Sequence, residues 1–201
     1  KDIIYKVEAV DVTTGELCEF MNEDCGYSYR WSRFKGEWHG RYIITYVTYK
    51  LQDTFVPHLD YGNVRDVLGR KGIQTPTAAQ LRDTIIEIRR EKLPDPAVEG
   101  NAGSFFTNPI ITRPEYERLL KEFVNVPHYP VDEGHVKIPA GWMIEQCGWK
   151  GKALGRAGVH SRQALVLVNH GGADGIEILR LCDTIKADVA DKFGIEINPE
   201  V

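Results

Sequence analysis

Apolar and polar residues alternate through much of the first fifty residues, and a period of two is typical of β-strands. The pattern predicts strands over residues 3–10, near Leu17 and over residues 41–51. In the third strand, apolar side chains point to both sides, so we expect both faces of that strand to be covered. One side carries Tyr42, Ile44 and Tyr46, and the other carries Ile43, Thr45, Val47, Tyr49 and Leu51.

Helical spacing of apolar residues is clearest in two later stretches. Residues 77–92 are predicted to form a helix that begins with a capping-box pair, Thr77 and Gln80. A longer helix is predicted to begin at Asp174, with Glu177 as its capping partner. Their apolar faces carry Leu81, Ile85 and Ile88 in the first helix, and Ile178, Leu181, Ile185 and Val189 in the second. Shorter helices are predicted at 114–123 and 139–147, and strands at 163–168 and 195–197.

A break rich in proline separates the two halves of this pattern. Residues 93–99 contain Pro94 and Pro96, follow a strong helix and precede a glycine-containing stretch, which is typical of a linker. Helices and strands are mixed on both sides of the break, and no internal repeat is found. The fold class predicted is therefore α+β, with one unit over residues 1–92 and another over residues 100–197.

Composition narrows the possible functions. A net charge of −4 argues against a general nucleic-acid binder, although a few local cations could hold a small anion. The longest apolar runs, such as residues 164–168, are far shorter than the roughly 18 residues that cross a bilayer, so we expect no membrane segment. The four cysteines lack CxxC spacing and the six histidines lack metal-site spacing, so we expect reduced thiols and no metal.

Residues 100–109 form the most informative stretch, which reads Gly-Asn-Ala-Gly-Ser-Phe-Phe-Thr-Asn-Pro. Its two glycines permit backbone angles and close ligand approach that a Cβ would prevent. Phe105 and Phe106 can anchor the stretch in a core, so that Ser104 is presented rather than buried. An ordinary glycine turn that leads into a strand explains the same pattern, and both interpretations stay open at this point.

The same stretch resembles the signature of the UDP-N-acetylenolpyruvoylglucosamine reductase family, the MurB flavoenzymes. Segments similar to other parts of the family occur in the expected order along the whole chain. They are 29–35 (Tyr-Arg-Trp-Ser-Arg-Phe-Lys), 92–96 (Lys-Leu-Pro-Asp-Pro), 141–147, 160–167 and 198–201 (Asn-Pro-Glu-Val). Tyr61, in Leu-Asp-Tyr-Gly, resembles the tyrosine loop of type I members. One departure is Thr107, because the family signature commonly has lysine there.

The resemblance implies an α+β fold with four parts. Residues 1–92 resemble the C-terminal part of an FAD-binding domain, 93–99 a linker, 100–197 a smaller substrate-binding domain, and 198–201 a segment returning toward the flavin domain. The family's N-terminal region has no counterpart here, and the chain starts at Lys1 rather than at methionine. We therefore expect a fragment that is inactive alone and that needs the remainder of the flavin domain as its partner.

The activity implied by the resemblance is reduction of UDP-N-acetylglucosamine enolpyruvate to UDP-N-acetylmuramate. In the family, NADPH reduces FAD, and the reduced flavin passes a hydride to the enol ether double bond. This oxidoreductase step belongs to cytoplasmic peptidoglycan precursor synthesis, and so to cell-wall biogenesis, cell shape and cell division. Two alternatives are a nucleotide-sugar binding module without catalysis and a flavin oxidoreductase with another substrate.

The resemblance assigns catalytic roles to Arg30, Ser104 and Glu200, which come from distant parts of the sequence. Hydride transfer creates negative charge beside the substrate carboxylate, and Arg30 suits that charge because a guanidinium can grip a carboxylate through two hydrogen bonds. Glu200 resembles a second polarising group, and Ser104 the proton donor to the carbanionic carbon. From the residues alone, Arg30 also fits a surface ion pair, and Glu200 an exposed residue near a chain end.

Six further residues are implied to bind the UDP-sugar. They are Tyr61 as a closing lid, Lys92, Tyr129 and Lys150 near the phosphates, and Asn108 and Gln163 as polar contacts. A lysine supplies a point charge to a diphosphate, and an aromatic ring can pack against a sugar or base. Structural alternatives are a helix C-terminal cation for Lys92, a core residue for Tyr129 and a solvent-facing side chain for Gln163.

Overall fold

The computed structural model describes residues 1–60 and 62–200. The chain divides into two compact units, Lys1–His58 and Leu59–Val201. Helices and antiparallel sheets occur together, so the fold is α+β, as predicted. The predicted linker at residues 93–99 lies within the second unit by this division, and the domain boundaries drawn from the sequence stay a prediction.

The first unit is built on three antiparallel strands, β1 (Ile4–Asp11), β2 (Leu17–Met21) and β3 (Tyr42–Tyr49). They are ordered β2-β1-β3, so the first strand of the sequence is central in the sheet. Two short 3-10 helices, Asn22–Cys25 and Arg33–Lys35, lie in the connection between β2 and β3. The three strands predicted from the alternation are confirmed.

The small core of the first unit combines the central strand with an aromatic cluster. Val7 and Ala9 of β1 are fully buried. Ring centroids 4.5 to 6.4 Å apart join the four members of the cluster, Phe20, Phe34, Trp38 and Tyr42. Offset and edge-to-face contacts of this kind stabilise aromatic pairs beyond the area they bury. The aromatic-rich stretch between β2 and β3 therefore forms part of this core.

The strand β3 lies at one edge of the sheet, and much of its apolar surface is open. Ile43 is 61% exposed and Tyr46 is 70% exposed. The prediction that both faces of this strand are covered is wrong. Within residues 1–58, two short 3-10 helices are the only helical structure, which is too little to cover both faces of an edge strand.

The second unit begins with two helices, α1 (Val64–Arg70) and α2 (Ala78–Lys92). The helix α2 starts with the predicted capping box. The Gln80 amide donates to the Thr77 hydroxyl oxygen at 3.2 Å, and the Thr77 amide donates to the Gln80 side-chain carbonyl at 2.9 Å. Two donors that a helix N-terminus leaves unsatisfied are thus paired, which fixes where α2 begins.

The two helices share a small apolar core of their own. Its buried members are Val64, Val67, Leu68, Leu81 and Ile88. On α2, Thr84 is only 1% exposed, whereas Ile85, predicted on the apolar face, is 39% exposed. The buried face is therefore rotated by one residue from the predicted one at this point of the helix.

The described residues in the rest of the second unit form two antiparallel sheets and three helices. The strands are β4 (Gly100–Ser104), β5 (Ile110–Thr112), β6 (Tyr129–Pro130), β7 (His135–Lys137), β8 (Ala153–Leu154), β9 (Ala157–Val159) and β10 (Val166–Asn169). The helices are α3 (Arg113–Glu122), α4 (Ala140–Gln146) and α5 (Gly175–Phe193). One sheet has the order β4-β10-β9-β8, and the other has the order β5-β7-β6.

The long helix α5 forms one wall of the main core. Its predicted cap is confirmed, because the Glu177 amide donates to the Asp174 carboxylate at 2.8 Å, and the Asp174 amide to the Glu177 carboxylate at 3.2 Å. Its inward side chains pack with the four-stranded sheet and α4. The largest fully buried residues of this core are Phe106, Phe193, Leu119, Ile138, Met143, Ile144, Leu181, Ile185 and Ile197.

Two strands of the second unit differ from prediction. The strand predicted over residues 163–168 starts only at Val166, because residues 163–165 form a turn. The strand predicted over residues 195–197 is wrong: Ile195 and Ile197 are buried in the core, but their segment joins no ladder among the described residues. Burial alone therefore explains the apolar alternation there.

The described residues contain no helix that is long and apolar enough to span a bilayer. Nor do they place three or more His, Cys, Asp or Glu side chains together as a metal site. All four cysteines are free thiols. Burial raises the pKa of Cys25, Cys147 and Cys182, so these thiols are less reactive than exposed ones.

Candidate active site

Ser104 is the last residue of β4, and its side chain is exposed. The two aromatic residues after it are buried, with Phe105 at 7% and Phe106 at 2% exposure. The Phe105 amide donates to the carbonyl of Leu165 at 2.7 Å. Ser104 is thus presented at the surface of its unit directly beside two core anchors, as the sequence predicted.

The strand β4 carries a bulge immediately before Ser104. Ser104 pairs with Val166 of β10 and Asn101 pairs with Val168, so the interval on β4 is one residue longer than on β10. Gly103 lies in this interval with φ +71°, and its amide donates to the Asn101 side-chain carbonyl at 3.0 Å. Gly103 therefore occupies a left-handed backbone position within a bulged strand, and it does not lie in an open loop.

Replacing Gly103 with alanine should destabilise the second unit by about 1–2 kcal/mol, because an L-residue is strained in left-handed backbone. A Cβ there would meet nothing within 4 Å, so the expected cost comes from the backbone and not from a clash. Urea denaturation followed by circular dichroism measures it. Gly134→Ala is the control, since that glycine does not have a left-handed φ; equal losses in the two variants would contradict the prediction.

The C-terminal segment runs beside the residues that follow Ser104. The Glu200 amide donates to the Phe105 carbonyl at 2.7 Å, and Phe106 and Pro199 form an antiparallel bridge. Glu200 itself is half-buried. Its backbone lies opposite the neighbour of Ser104, so the structure brings two of the predicted catalytic residues onto adjacent stretches of chain. This contact joins the backbones of the two segments.

Thr107 helps to hold the C-terminal segment in this position. Its amide donates to the Asn198 carbonyl at 2.9 Å, and its hydroxyl donates to the same oxygen at 3.2 Å. A lysine at this position would retain the first bond and lose the second. The departure from the family signature therefore has a structural use.

Asn108 and Gln163 lie near the start of α4. The Asn108 side-chain carbonyl accepts a hydrogen bond from the Ala140 amide at 2.9 Å, which satisfies one donor of the helix N-terminus. Gln163 is half-buried, and its side-chain carbonyl is 3.5 Å from the Leu165 amide. The alternative that Gln163 simply faces solvent is therefore not what the structure shows.

A buried histidine supports the turn that carries Gln163. The His160 amide donates to the Val166 carbonyl at 2.9 Å, and the Val166 amide donates to the Gln163 carbonyl at 3.1 Å. His160 is 8% exposed, and burial, together with the Arg162 charge, lowers the pKa of its imidazole. A neutral imidazole at neutral pH fits a packing role.

The two predicted phosphate-binding lysines lie on separate elements. Lys92 is the last residue of α2, where a cation interacts favourably with the helix dipole, and its ammonium is 3.4 Å from the Asn63 side-chain carbonyl. Lys150 follows α4 and forms an ion pair with Glu145 at 3.0 Å. Each ammonium group has three donors, so a phosphate could bind beside the partner that is already present.

Tyr129 lies on β6 and is 57% exposed, so the alternative that it is a core residue is wrong. The reason is that β6 has two residues at the edge of its sheet, and Lys137 of β7 covers the ring with its ammonium 5.7 Å from the centroid. Tyr61, the predicted lid residue, lies outside the described residues.

Arg30 belongs to the first unit, where it occupies a tight turn. The Ser28 amide donates to the Trp31 carbonyl at 3.1 Å and closes the turn. Arg30 has φ +55°, a left-handed angle that is uncommon and strained for a residue with a Cβ. Its guanidinium carbon lies 6.0 Å from the centroid of the Tyr29 ring. Strained backbone of this kind is often found at functional positions.

Comparison with known proteins connects this geometry to a family. The family model described as UDP-N-acetylenolpyruvoylglucosamine reductase, C-terminal domain, matches residues 95–201, more than half of the chain. The chain belongs to this reductase family. The matched range includes Ser104, Glu200, Asn108, Tyr129 and Lys150. The family resemblance found in the sequence is therefore confirmed.

Individual members of the reductase family match along the whole chain. The chain is 50% identical to the UDP-N-acetylenolpyruvoylglucosamine reductase of Bacteroides fragilis, over 100% of this chain and 60% of that protein. The identically named protein of Pseudomonas syringae pv. syringae is 48% identical, over 100% of this chain and 59% of the relative. The chain thus spans about 60% of the length of the curated relatives it matches.

A crystal structure of UDP-N-acetylenolpyruvylglucosamine reductase (MurB) from Thermus caldophilus has a similar fold. The TM-score is 0.57 at 20% sequence identity, and the match covers 99% of this chain and 52% of that chain. At this identity the likeness shows the fold alone.

Proposed function

We propose that this chain supplies the substrate domain and part of the flavin domain of an enzyme that reduces UDP-N-acetylglucosamine enolpyruvate to UDP-N-acetylmuramate. The enzyme would use NADPH through FAD, in the cytoplasmic synthesis of peptidoglycan precursors. Membership of the reductase family supports the reaction class. The observation that carries the proposal is the backbone hydrogen bond from Glu200 to Phe105, which holds the Glu200 segment beside the segment that presents Ser104.

The described residues of the first unit do not fit a complete FAD site. A dinucleotide pyrophosphate is commonly held at the N-terminus of a helix that follows a glycine-rich loop. Residues 1–58 contain two helical segments, Asn22–Cys25 and Arg33–Lys35, and both are short 3-10 helices without such a loop. We therefore propose that protein outside this chain holds the flavin phosphates, as the family resemblance implies.

The roles proposed for the chain's own residues concern charge and one proton. Addition of a hydride to one alkene carbon leaves negative charge on its neighbour, which spreads into the adjacent carboxylate. Arg30 would hold that carboxylate, and Glu200 would polarise it. The Ser104 hydroxyl would then give its proton to the carbanionic carbon. A serine hydroxyl is a weak acid in water, and it would serve here because its partner is a strongly basic enolate. The alkoxide left on Ser104 would regain a proton from solvent, since the residue is exposed.

The test has two parts, of which the first uses the 201-residue chain. Purified without added cofactor, it should be colourless, and it should bind UDP-N-acetylglucosamine enolpyruvate in a calorimetric titration. UDP-glucose is the control ligand, since it lacks the enolpyruvyl carboxylate. A yellow protein with stoichiometric flavin would contradict the assignment of the flavin phosphates, and equal binding of both ligands would contradict carboxylate recognition.

The second part uses a protein of the relatives' length that contains this chain. It should consume one NADPH for each enol ether reduced, as measured by absorbance of the nicotinamide and by chromatography of the product. Binding of the UDP-sugar without any turnover in this longer protein would support the binding-module alternative instead. Turnover of a different alkene only would support another flavin oxidoreductase.

A further inference from the structure

The first turn of α4 lies against two predicted site residues, Asn108 and Gln163. The Ala140 amide donates to the side chain of Asn108 at 2.9 Å. At the next residue, Gly141, a Cβ would lie 3.2 Å from Cγ of Leu165 and 3.5 Å from Oε1 of Gln163. The former distance is closer than ordinary van der Waals contact, so the hydrogen of this glycine allows the turn at 163–165 to approach the helix.

Leu165 links the same helix turn to Ser104. Its carbonyl accepts the Phe105 amide at 2.7 Å, one residue beyond Ser104. A displacement of Leu165 would therefore act on the end of β4 through a backbone hydrogen bond. It would also act on Gln163, whose side-chain carbonyl is 3.5 Å from the Leu165 amide.

We propose that Gly141 is a positioning residue for the active site, an inference that rests on the proposed function. Because Gly141 has no side chain, the turn that carries Gln163 could approach the helix. The same approach would position Leu165 and, through its hydrogen bond, the end of β4 that presents Ser104. Gly141 would touch no substrate itself. Its effect would pass through residues that do, because closely packed interiors transmit small displacements.

The matched control is Gly175, the first residue of α5. Both glycines lie in the first turn of a helix, so alanine should raise helix propensity at both. A Cβ at Gly175 would meet nothing within 4 Å, whereas a Cβ at Gly141 would press on Leu165. A difference between Gly141→Ala and Gly175→Ala therefore isolates the contact with the turn.

The first measurement needs no ligand. In ¹H–¹⁵N spectra of the 201-residue chain, Gly141→Ala should shift the amides of Phe105, Gln163 and Leu165. Gly175→Ala should leave those three amides unchanged. The proposal fails if Gly141→Ala shifts only residues of α4 itself.

The second measurement is titration with UDP-N-acetylglucosamine enolpyruvate. Gly141→Ala should weaken binding about tenfold, a typical effect of one extra methyl group in a packed site, while Gly175→Ala should not. Adding Leu165→Ala to Gly141→Ala should recover part of the affinity, since it removes the atom that the new Cβ meets. Loss of affinity that Leu165→Ala does not relieve would overturn the proposed route.

The two measurements separate this inference from the proposed function. If the unmodified chain does not bind the UDP-sugar, the substrate assignment fails, and the amide shifts still decide whether Gly141 positions the turn. If the unmodified chain binds and Gly141→Ala behaves like Gly175→Ala in both measurements, the positioning role is wrong and the proposed function stands.

Discussion

Replacing Ser104 with alanine is expected to slow reduction of the enol ether by about 10²- to 10⁴-fold, the range that a positioned acid or base contributes. The substitution removes one exposed hydroxyl at the end of β4 and leaves the buried anchors after it in place. Reduction of the flavin by NADPH should continue at its normal rate, because the role proposed for the hydroxyl belongs only to the second half of the reaction. Stopped-flow absorbance of the flavin measures the two half-reactions separately.

A second serine provides the control for this prediction. Ser161 is exposed in the loop before β10 and has no assigned role. Ser161→Ala, made in the same protein of the relatives' length, should leave both half-reactions unchanged. If Ser104→Ala also leaves the rate of substrate reduction unchanged, Ser104 is not the proton donor.

Replacing Phe106 with alanine should destabilise the second unit by about 3–5 kcal/mol, the usual cost of removing a fully buried aromatic ring. Phe106 is 2% exposed, lies in the main core and forms the backbone bridge to Pro199. The cavity would lie beneath both Ser104 and the segment that carries Glu200. Denaturant unfolding followed by near-ultraviolet circular dichroism measures the loss, and hydrogen exchange of the Glu200 amide should accelerate as well.

Val124 is the control for the truncation of Phe106. It is 86% exposed, so Val124→Ala removes an apolar side chain without opening a cavity, and its effect should stay within about 0.5 kcal/mol. A small loss for Phe106→Ala, similar to that for Val124→Ala, would mean that the aromatic pair after Ser104 does not anchor the strand.

The features predicted best from the sequence are those decided by local chemistry. The capping boxes at Thr77 and Asp174 form as predicted, because a hydroxyl or carboxylate and the side chain three residues later satisfy each other's amides. The helix α1 (Val64–Arg70) was not predicted, and its N-cap residue Asn63 makes no side-chain cap bond. A short helix that depends on packing rather than capping leaves little trace in the sequence.

Features decided by distant parts of the chain were predicted poorly. The alternation at residues 195–197 favours a strand, but the core buries Ile195 and Ile197 without a ladder. Likewise, the glycines before Ser104 fit a turn or a loop equally well until β10 is known to pair with them. The local pattern of apolar residues indicates which side chains are buried, whereas the pairing of strands depends on residues that are distant in the sequence.

In the candidate site, too, contacts between distant parts of the chain were not predictable from local sequence. The nearness of Glu200 to the segment after Ser104 was implied by the family resemblance, and no local pattern contains it. The role of Thr107 in fastening that segment could have been suspected only from its departure from the family's lysine. Backbone donors and acceptors must all find partners, but sequence alone does not say which ones they find.

The left-handed backbone of Arg30 has a practical consequence for protein engineering. Glycine adopts φ +55° without strain, so Arg30→Gly should make the first unit more heat-resistant while it deletes the guanidinium. A directed-evolution campaign that selects survivors of heating alone would therefore enrich glycine at this position and discard the very group proposed to hold the substrate. Thermal selection on this protein should be paired with a turnover screen.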